Sequence, residues 1–377
     1  MTAHLRRLTR GPAALWVLGL LAAASAARAQ ELRLPVHEGS VRFAVIGDTG
    51  TAAQAQYDIG KQMAAFHQKF PFTFVIMVGD NIYGTDSPGD FERKFELPYK
   101  PLLDAGVKFY AALGNHDNPN QNGYKFFNMG QQRFYTFKPN QGVRFFALDS
   151  NYMDRLQLEW LQKELGSSGS EWKIPFFHHP LYSSGRTHGS SVDLRNQLEP
   201  LFVEHGVDVV FSGHDHFYER VKPQKGIYYF VSGAGGSLRK GDIRPGTGLT
   251  EVGFDTDFSF MLVEVDGRDL YFQAIARTGQ TVDSGVIHQA PGHGVEKSVP
   301  LAPGSPVPPA VVSPKPGPQP TPEAPPGTPP SKPLLPPQLT KPSPSPSATP
   351  SPSPSPRPRT KARPKAKKPP APAPTTG

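Results

Sequence analysis

Five separate stretches of this chain run from apolar residues into a short polar motif, and this repeated pattern constrains the fold more than any other feature. Each apolar run is predicted to be a buried strand. Ligand sites of α/β sheets lie beyond the carboxyl ends of the strands, so the pattern predicts that the five motifs converge. The motifs are Ile46-Gly47-Asp48-Thr49-Gly50, Gly79-Asp80-Asn81-Ile82-Tyr83, Leu113-Gly114-Asn115-His116-Asp117, Phe177-His178-His179-Pro180 and Ser212-Gly213-His214-Asp215-His216.

The segments between the motifs predict alternating strands and helices, which is typical of an α/β fold. Apolar residues at helical spacing predict helices over 52–69, 90–103, 153–165 and 192–205. Strands are predicted over 42–46, 72–78, 107–113, 174–177 and 207–211, with a hairpin over 133–148. A second group of strands is predicted over 227–231, 258–265 and 269–276.

Composition divides the chain into three parts. Residues 1–29 have a basic start, a short apolar core and the small-residue pattern Ala27-Arg28-Ala29, which predict a secretory signal, with an uncleaved membrane anchor as the alternative. Residues 30–290 are predicted to form one domain. Residues 291–377 hold 31 of the 44 prolines and no aromatic residue, so we expect a disordered Pro-rich tail. The protein is therefore expected to be exported, to the periplasm or as a secreted protein.

The charge of the chain is distributed unevenly. The formal net charge is +8, but the tail carries +9 and the first 29 residues carry +4, which leaves about −5 for residues 30–290. We therefore expect no nucleic acid to bind the folded domain. The basic cluster at 357–368 lies in the tail, where it could bind an anionic envelope surface. The alternative is that the tail is a solvated linker without a partner.

The polar motifs offer ligands for more than one metal ion. The chain has no cysteine, so oxygen and nitrogen donors must hold any metal. Two ions bridged by a shared carboxylate would use the available carboxylates, amide and imidazoles well. Tyr83 adds a phenolate, a hard anionic donor that favours trivalent iron over zinc. Pro180 indicates a bend after His179, so we do not expect His179 to be a ligand.

These motifs resemble those of the calcineurin-like metallophosphoesterases, and the resemblance covers residues 42–278. Within that group, Asp80-x-x-Tyr83 and the later Ser232-Gly233-Ala234-Gly235 are similar to purple acid phosphatases of the small, tartrate-resistant type. The resemblance implies an α/β fold built as a four-layer α/β/β/α sandwich, in which two sheets pack face to face with helices outside.

The resemblance also implies a role for each site residue. Asp48, Tyr83 and His216 would bind Fe(III), whereas Asn115, His178 and His214 would bind a divalent ion of iron, zinc or manganese, and Asp80 would bridge the two. A metal-bound hydroxide would attack the phosphorus. His116 would contact the phosphate, His188 would protonate the leaving alkoxide, and Asp117 would orient His116.

The sequence therefore predicts an exported acid phosphatase, a dinuclear-metal hydrolase that acts on small phosphate monoesters. Two alternatives remain open at this point. One is a phosphodiesterase of the same superfamily that acts on nucleotides or lipids. The other is an envelope-attached protein whose domain has no catalytic activity.

Overall fold

The computed structural model describes residues 31–140 and 142–289. The predicted secretory signal over 1–29 and the predicted tail over 291–377 lie outside the described residues. Within the described part of the chain, no helix is both long enough and apolar enough to cross a bilayer.

A six-stranded sheet contains the first three strands of the chain. Its order is β13-β12-β11-β1-β2-β3, and β1, β2 and β3 run parallel to one another. β11 pairs antiparallel with β1, so the sheet is mixed. The strands are β1 (Val41–Ile46), β2 (Phe74–Val78), β3 (Lys108–Ala112), β11 (Ser259–Asp266), β12 (Asp269–Ala276) and β13 (Thr281–His288).

A seven-stranded sheet contains the other strands. Its order is β10-β8-β9-β7-β6-β5-β4, and the neighbours β5, β6, β7 and β9 are parallel. The strands are β4 (Tyr135–Asn140), β5 (Val143–Ala147), β6 (Trp172–Phe176), β7 (Val209–Ser212), β8 (Tyr218–Val221), β9 (Tyr228–Ser232) and β10 (Thr250–Phe254). β8, β10 and β13 were not predicted from the sequence.

Five α-helices accompany the sheets in the described residues. They are α1 (Gln54–His67), α2 (Pro88–Phe91), α3 (Lys100–Asp104), α4 (Arg155–Gly166) and α5 (Val192–Glu204). The prediction that residues 90–103 are largely helical is confirmed, although the element is not continuous: a π-helical turn (Glu92–Glu96) and a short break separate α2 from α3. Pro98 lies in the break, and proline lacks the N–H that a helix interior requires.

Side chains of β1 show how the layers are arranged. Phe43 and Val45 belong to the apolar core between the two sheets, and the Phe43 ring lies 5.0 Å from that of Phe145 on the second sheet. Ala44 and Ile46 point the other way, into a core that α1 and α3 cover. A third core lies between the outer face of the second sheet and the helices α4 and α5. The four-layer α/β/β/α sandwich is therefore confirmed.

A buried lysine fastens the loop that follows β2. Lys94, in the π-helical turn, is 7% exposed, and its Nζ donates to the carbonyl oxygens of Tyr83 at 2.7 Å and Thr85 at 2.6 Å. The same ammonium lies 2.9 Å from a carboxylate oxygen of Asp90, which caps α2 together with Ser87. Lys94 therefore fixes the backbone at Tyr83 from beneath the loop.

We expect Lys94→Met to lower the free energy of unfolding by about 1–3 kcal/mol, because two backbone carbonyls and the buried carboxylate of Asp90 lose a donor. Chemical denaturation measures this change. Lys100→Met is the matched control. Like Lys94 with Asp90, Lys100 pairs with an aspartate four positions away, Asp104, but both of these side chains are 62% exposed. The control should change stability by less than about 0.5 kcal/mol. Equal effects of both substitutions would contradict this role of Lys94.

Candidate metal centre

The predicted site residues follow five parallel strands, and the fold brings them together. Asp48 follows β1, Asp80 follows β2, and Asn115 and His116 follow β3. In the second sheet, His178 follows β6, and His214 and His216 follow β7. The two sheets meet here, since His178 Nδ1 lies 3.0 Å from the carbonyl oxygen of Val78 at the end of β2.

Three of these residues adopt an unusual backbone conformation. The φ angles of Asp48, Asp80 and His214 are 55°, 51° and 71°, in the left-handed region that L-residues seldom occupy. Such conformations cost about 1–2 kcal/mol each and persist where surrounding contacts impose them. Three of the eight non-glycine residues with positive φ in the described part of the chain therefore lie at the ends of β1, β2 and β7, where the polar side chains turn towards one another.

Glycines make this close approach sterically feasible. A Cβ on Gly114 would lie 2.1 Å from Asp80 Oδ1, and a Cβ on Gly213 would lie 2.5 Å from Asp48 Oδ2. Both distances are shorter than any Cβ contact found in proteins. Gly114 and Gly213 thus allow one strand end to contact the carboxylate of another.

Asp48, Tyr83 and His216 form the first group of converging donors. The Tyr83 hydroxyl lies 3.3 Å from Asp48 Oδ1 and 3.2 Å from His216 Nε2, and those two atoms are 3.3 Å apart. Burial, and then the charge of Asp48, raise the pKa of the Tyr83 phenol. Burial, and then the charge of Arg239, lower the pKa of His216 to about 4. The ring of His216 is therefore neutral and has a lone pair to offer.

Asn115, His178 and His214 form the second group. His178 Nε2 lies 3.0 Å from Asn115 Oδ1 and 3.1 Å from His214 Nδ1. His178 Nδ1 donates to the carbonyl of Val78, so the tautomer is fixed and the lone pair of Nε2 faces the site. Burial is the main cause that lowers the pKa of both His178 and His214.

Asp80 lies between the two groups. Its Oδ1 is 3.4 Å from His178 Nε2 and accepts a hydrogen bond of 2.9 Å from the backbone N of His116. Donor atoms of Asp48, Asp80 and His178 all lie within 4.8 Å of one another, and all three side chains are buried. Burial, and then the charge of Asp80, raise the pKa of Asp48 well above its ordinary value. Buried carboxylates and neutral imidazoles that converge in this way fit bound metal cations.

His179 lies closer to the site than its sequence context suggests. One of its ring nitrogens lies within 4.8 Å of donor atoms of His178 and His214. Its Nδ1 is 2.9 Å from the hydroxyl of Ser150, which orients the ring. The expectation that His179 is not a ligand stays a prediction.

The structure brings His188 to the second group. Its ring centroid lies 4.0 Å from that of His214, and its side chain is exposed. Asp215 holds the surrounding loop by accepting hydrogen bonds from Ser183 Oγ and from Gly189 N. The Thr187 hydroxyl donates to Asp242 at 2.7 Å on the other side of the loop. His188 therefore projects from a loop that two buried carboxylates fasten.

Arg239 is a candidate site residue that the sequence did not predict. Its Nη1 is buried and has no hydrogen-bond partner among the described residues. Its backbone N donates to the carbonyl of His216. Partial burial, and then the charge of Arg239, lower the pKa of His188. An arginine within a Gly- and Ser-rich stretch carries no distinguishing sequence signal.

Asp117 has a different partner from the one expected. Its carboxylate accepts hydrogen bonds from the backbone N of Asn81, Ile82 and Gly114 and from the amide of Asn81. Burial raises the pKa of Asp117 to about 7. Asp117 thus fastens the loop that carries Asp80, and the expectation that it orients His116 is wrong. His116 is exposed beside Tyr83, with 4.9 Å between the ring centroids.

Comparison with known proteins points to one family. Residues 41–218 match the calcineurin-like phosphoesterase family, and this range contains all nine predicted site residues. Purple acid phosphatase 17 of Arabidopsis thaliana is 27% identical over 246 residues, which cover 56% of this chain and 72% of the relative. Tartrate-resistant acid phosphatase type 5 of Oryctolagus cuniculus is 28% identical over 249 residues, which cover 54% and 76%.

A solved structure shares the fold. It is GAP50, the anchor in the inner membrane complex of Plasmodium, with a TM-score of 0.58, 20% identity and coverage of 67% of this chain and 89% of that chain. At this identity the likeness concerns the fold alone, because one fold hosts unrelated functions.

Proposed function

Residues 41–218 belong to the calcineurin-like phosphoesterase family, and from that premise we propose that this protein is an acid phosphatase that hydrolyses small phosphate monoesters with two metal ions. The observation that carries the proposal is the division of the polar side chains into two groups of three, with Asp80 between them. The first group is Asp48, Tyr83 and His216, and the second is Asn115, His178 and His214.

The residues of each group would hold one ion. Bound there, two ions supply charge neutralisation on the phosphoryl oxygens and lower the pKa of water to near neutrality. Asn115 and His116 lie exposed at the same strand end, where the amide and ring can contact phosphate oxygens. His188 donates a proton to the leaving oxygen as the P–O bond breaks.

We assign Fe(III) to the group that contains Tyr83, and a divalent ion of iron, zinc or manganese to the other. Burial and the carboxylates keep the phenol of Tyr83 protonated when no cation is bound. A hard trivalent cation beside the phenol would lower its pKa and favour the phenolate. The assignment is supported by two anionic oxygen donors, from Asp48 and Tyr83, in one group.

We also propose that the enzyme acts outside the cytoplasm. The support is the basic and apolar pattern of residues 1–29. Amino-terminal sequencing of the protein from its native host should find a start near residue 30. A protein that retains Met1 in the cytoplasm would contradict the location and leave the proposed chemistry unaffected.

We expect the protein loaded with iron and zinc to hydrolyse 4-nitrophenyl phosphate at acidic pH, and to be much slower with bis(4-nitrophenyl) phosphate. Chelation should abolish turnover, and addition of the two metals should restore it. Steady-state kinetics on both esters measure this preference. Faster turnover of the diester would indicate a phosphodiesterase, and no turnover by a fully loaded protein would indicate a non-catalytic domain.

We expect His188→Ala to slow hydrolysis of alkyl phosphates by roughly 10²–10⁴-fold, because a poor leaving group needs a proton from a general acid. Activated aryl esters should lose far less. His288→Ala is a control, since that histidine is 74% exposed and pairs with Asp269 on β12. Equal losses on both classes of ester would show that His188 does not donate the proton.

We expect Arg239→Gln to raise the inhibition constant of inorganic phosphate roughly 10-fold or more, because the phosphate would lose the charged donor that the buried, unpartnered Nη1 offers. The adjacent Lys240 is exposed, so Lys240→Gln should change that constant little. Competitive inhibition measured against an aryl phosphate gives both values. Unchanged inhibition of the Arg239 variant would mean that Arg239 does not contact the phosphate.

A further inference from the structure

A cavity of about 710 Å³ opens beside the second group of donors. We call it the side cavity. Asn115 and His179 line its inner end, so it is continuous with the candidate metal centre. The residues Tyr152, Val192, Asp193 and Gln197 also line it; all four are exposed, and we call them its outer walls. Its size is that of a pocket for a small organic molecule.

The outer walls of the side cavity present apolar surface to water. Tyr152 is 60% exposed and Val192 is 49% exposed, and both are among the few large apolar side chains so exposed in the described residues. A single exposed apolar residue needs no explanation, but two that line the same cavity indicate a binding surface. A tyrosine ring in this position offers a flat face for stacking.

The side cavity is lined by one exposed carboxylate that has no cationic partner among the described residues. Among the residues that line it there is no lysine or arginine, and three are aspartates: Asp117, Asp149 and Asp193. Asp117 is satisfied by backbone N–H groups, and Asp149 pairs with Arg133 at 2.7 Å. Asp193 is exposed in the first turn of α5, and no hydrogen bond to its carboxylate is found in the described part. An anionic group in the outer cavity would meet this carboxylate without a compensating cation.

We propose that the side cavity binds the leaving alcohol of the ester and selects an aromatic alcohol that carries no negative charge. This inference rests on the proposed phosphatase function. The phosphoryl group lies at the inner end by Asn115, and the aromatic ring of the alcohol lies between Tyr152 and Val192. Leaving groups that carry phosphate or carboxylate, such as nucleoside diphosphates, are disfavoured by Asp193.

The test compares phenyl phosphate, 4-carboxyphenyl phosphate and methyl phosphate as substrates. We expect the wild-type kcat/KM to favour phenyl over 4-carboxyphenyl phosphate, and Asp193→Lys to reduce that ratio by roughly 5-fold or more. Tyr152→Ala should lower kcat/KM for phenyl phosphate by roughly 3- to 10-fold and affect methyl phosphate little. Glu204→Lys is the matched control, because Glu204 is an exposed carboxylate at the other end of the same helix.

A binding measurement separates this inference from the proposed function. Phenylphosphonate, 4-carboxyphenylphosphonate and methylphosphonate are titrated into the metal-loaded protein and its variants, and thermal shifts report affinity without turnover. Two results would support binding of the alcohol in the side cavity even if no ester were hydrolysed. Tyr152→Ala should lose the preference for phenylphosphonate over methylphosphonate, and Asp193→Lys should lose the preference for phenylphosphonate over 4-carboxyphenylphosphonate. If the ratios of affinity among the three phosphonates were the same in Tyr152→Ala and Asp193→Lys as in Glu204→Lys, the inference would be overturned, whether or not the protein is a phosphatase.

Discussion

The burial of two neighbouring carboxylates is the constraint on which the site depends. Asp48 and Asp80 are 0% and 1% exposed at the ends of adjacent parallel strands. Two such charges in a low-dielectric interior are costly unless cations or protons compensate them. The surrounding imidazoles do not compensate the carboxylate charges, because burial lowers the pKa of His178, His214 and His216 and keeps their rings neutral. Metal ions bound here would satisfy the carboxylates and the imidazole lone pairs together.

The metal-binding side chains converge because the backbone adopts strained conformations at the strand ends. Neighbouring hydrogen bonds offset the cost of that strain. Left-handed backbone at Asp48 and His214 is stabilised by the hydrogen bond from His214 N to Asp48 Oδ2, at 2.9 Å. Asp117 fastens the loop at Asp80, and Lys94 fastens the same loop at Tyr83. Donors that are already oriented need little rearrangement when ions and phosphate bind, and such preorganisation is a large part of electrostatic catalysis.

The sequence predicted the elements whose signal is local. The strand ends of β1, β2, β3, β6 and β7 carry glycine and polar residues directly after apolar runs, so the site could be assembled before the structure was known. β8 was missed because Glu219 and Arg220 interrupt its apolar pattern, although Glu219 is buried. The roles of Lys94, Asp117 and Arg239 depend on partners brought near by the tertiary fold, and no local pattern encodes them.

The most direct test of the account is a crystal structure of the iron- and zinc-loaded protein, with anomalous scattering recorded at the edges of both metals. The account predicts two peaks about 3.5–4 Å apart, bridged by the carboxylate of Asp80, with iron on the side of Tyr83. A folded protein with one peak, with none, or with ions bound elsewhere would contradict it.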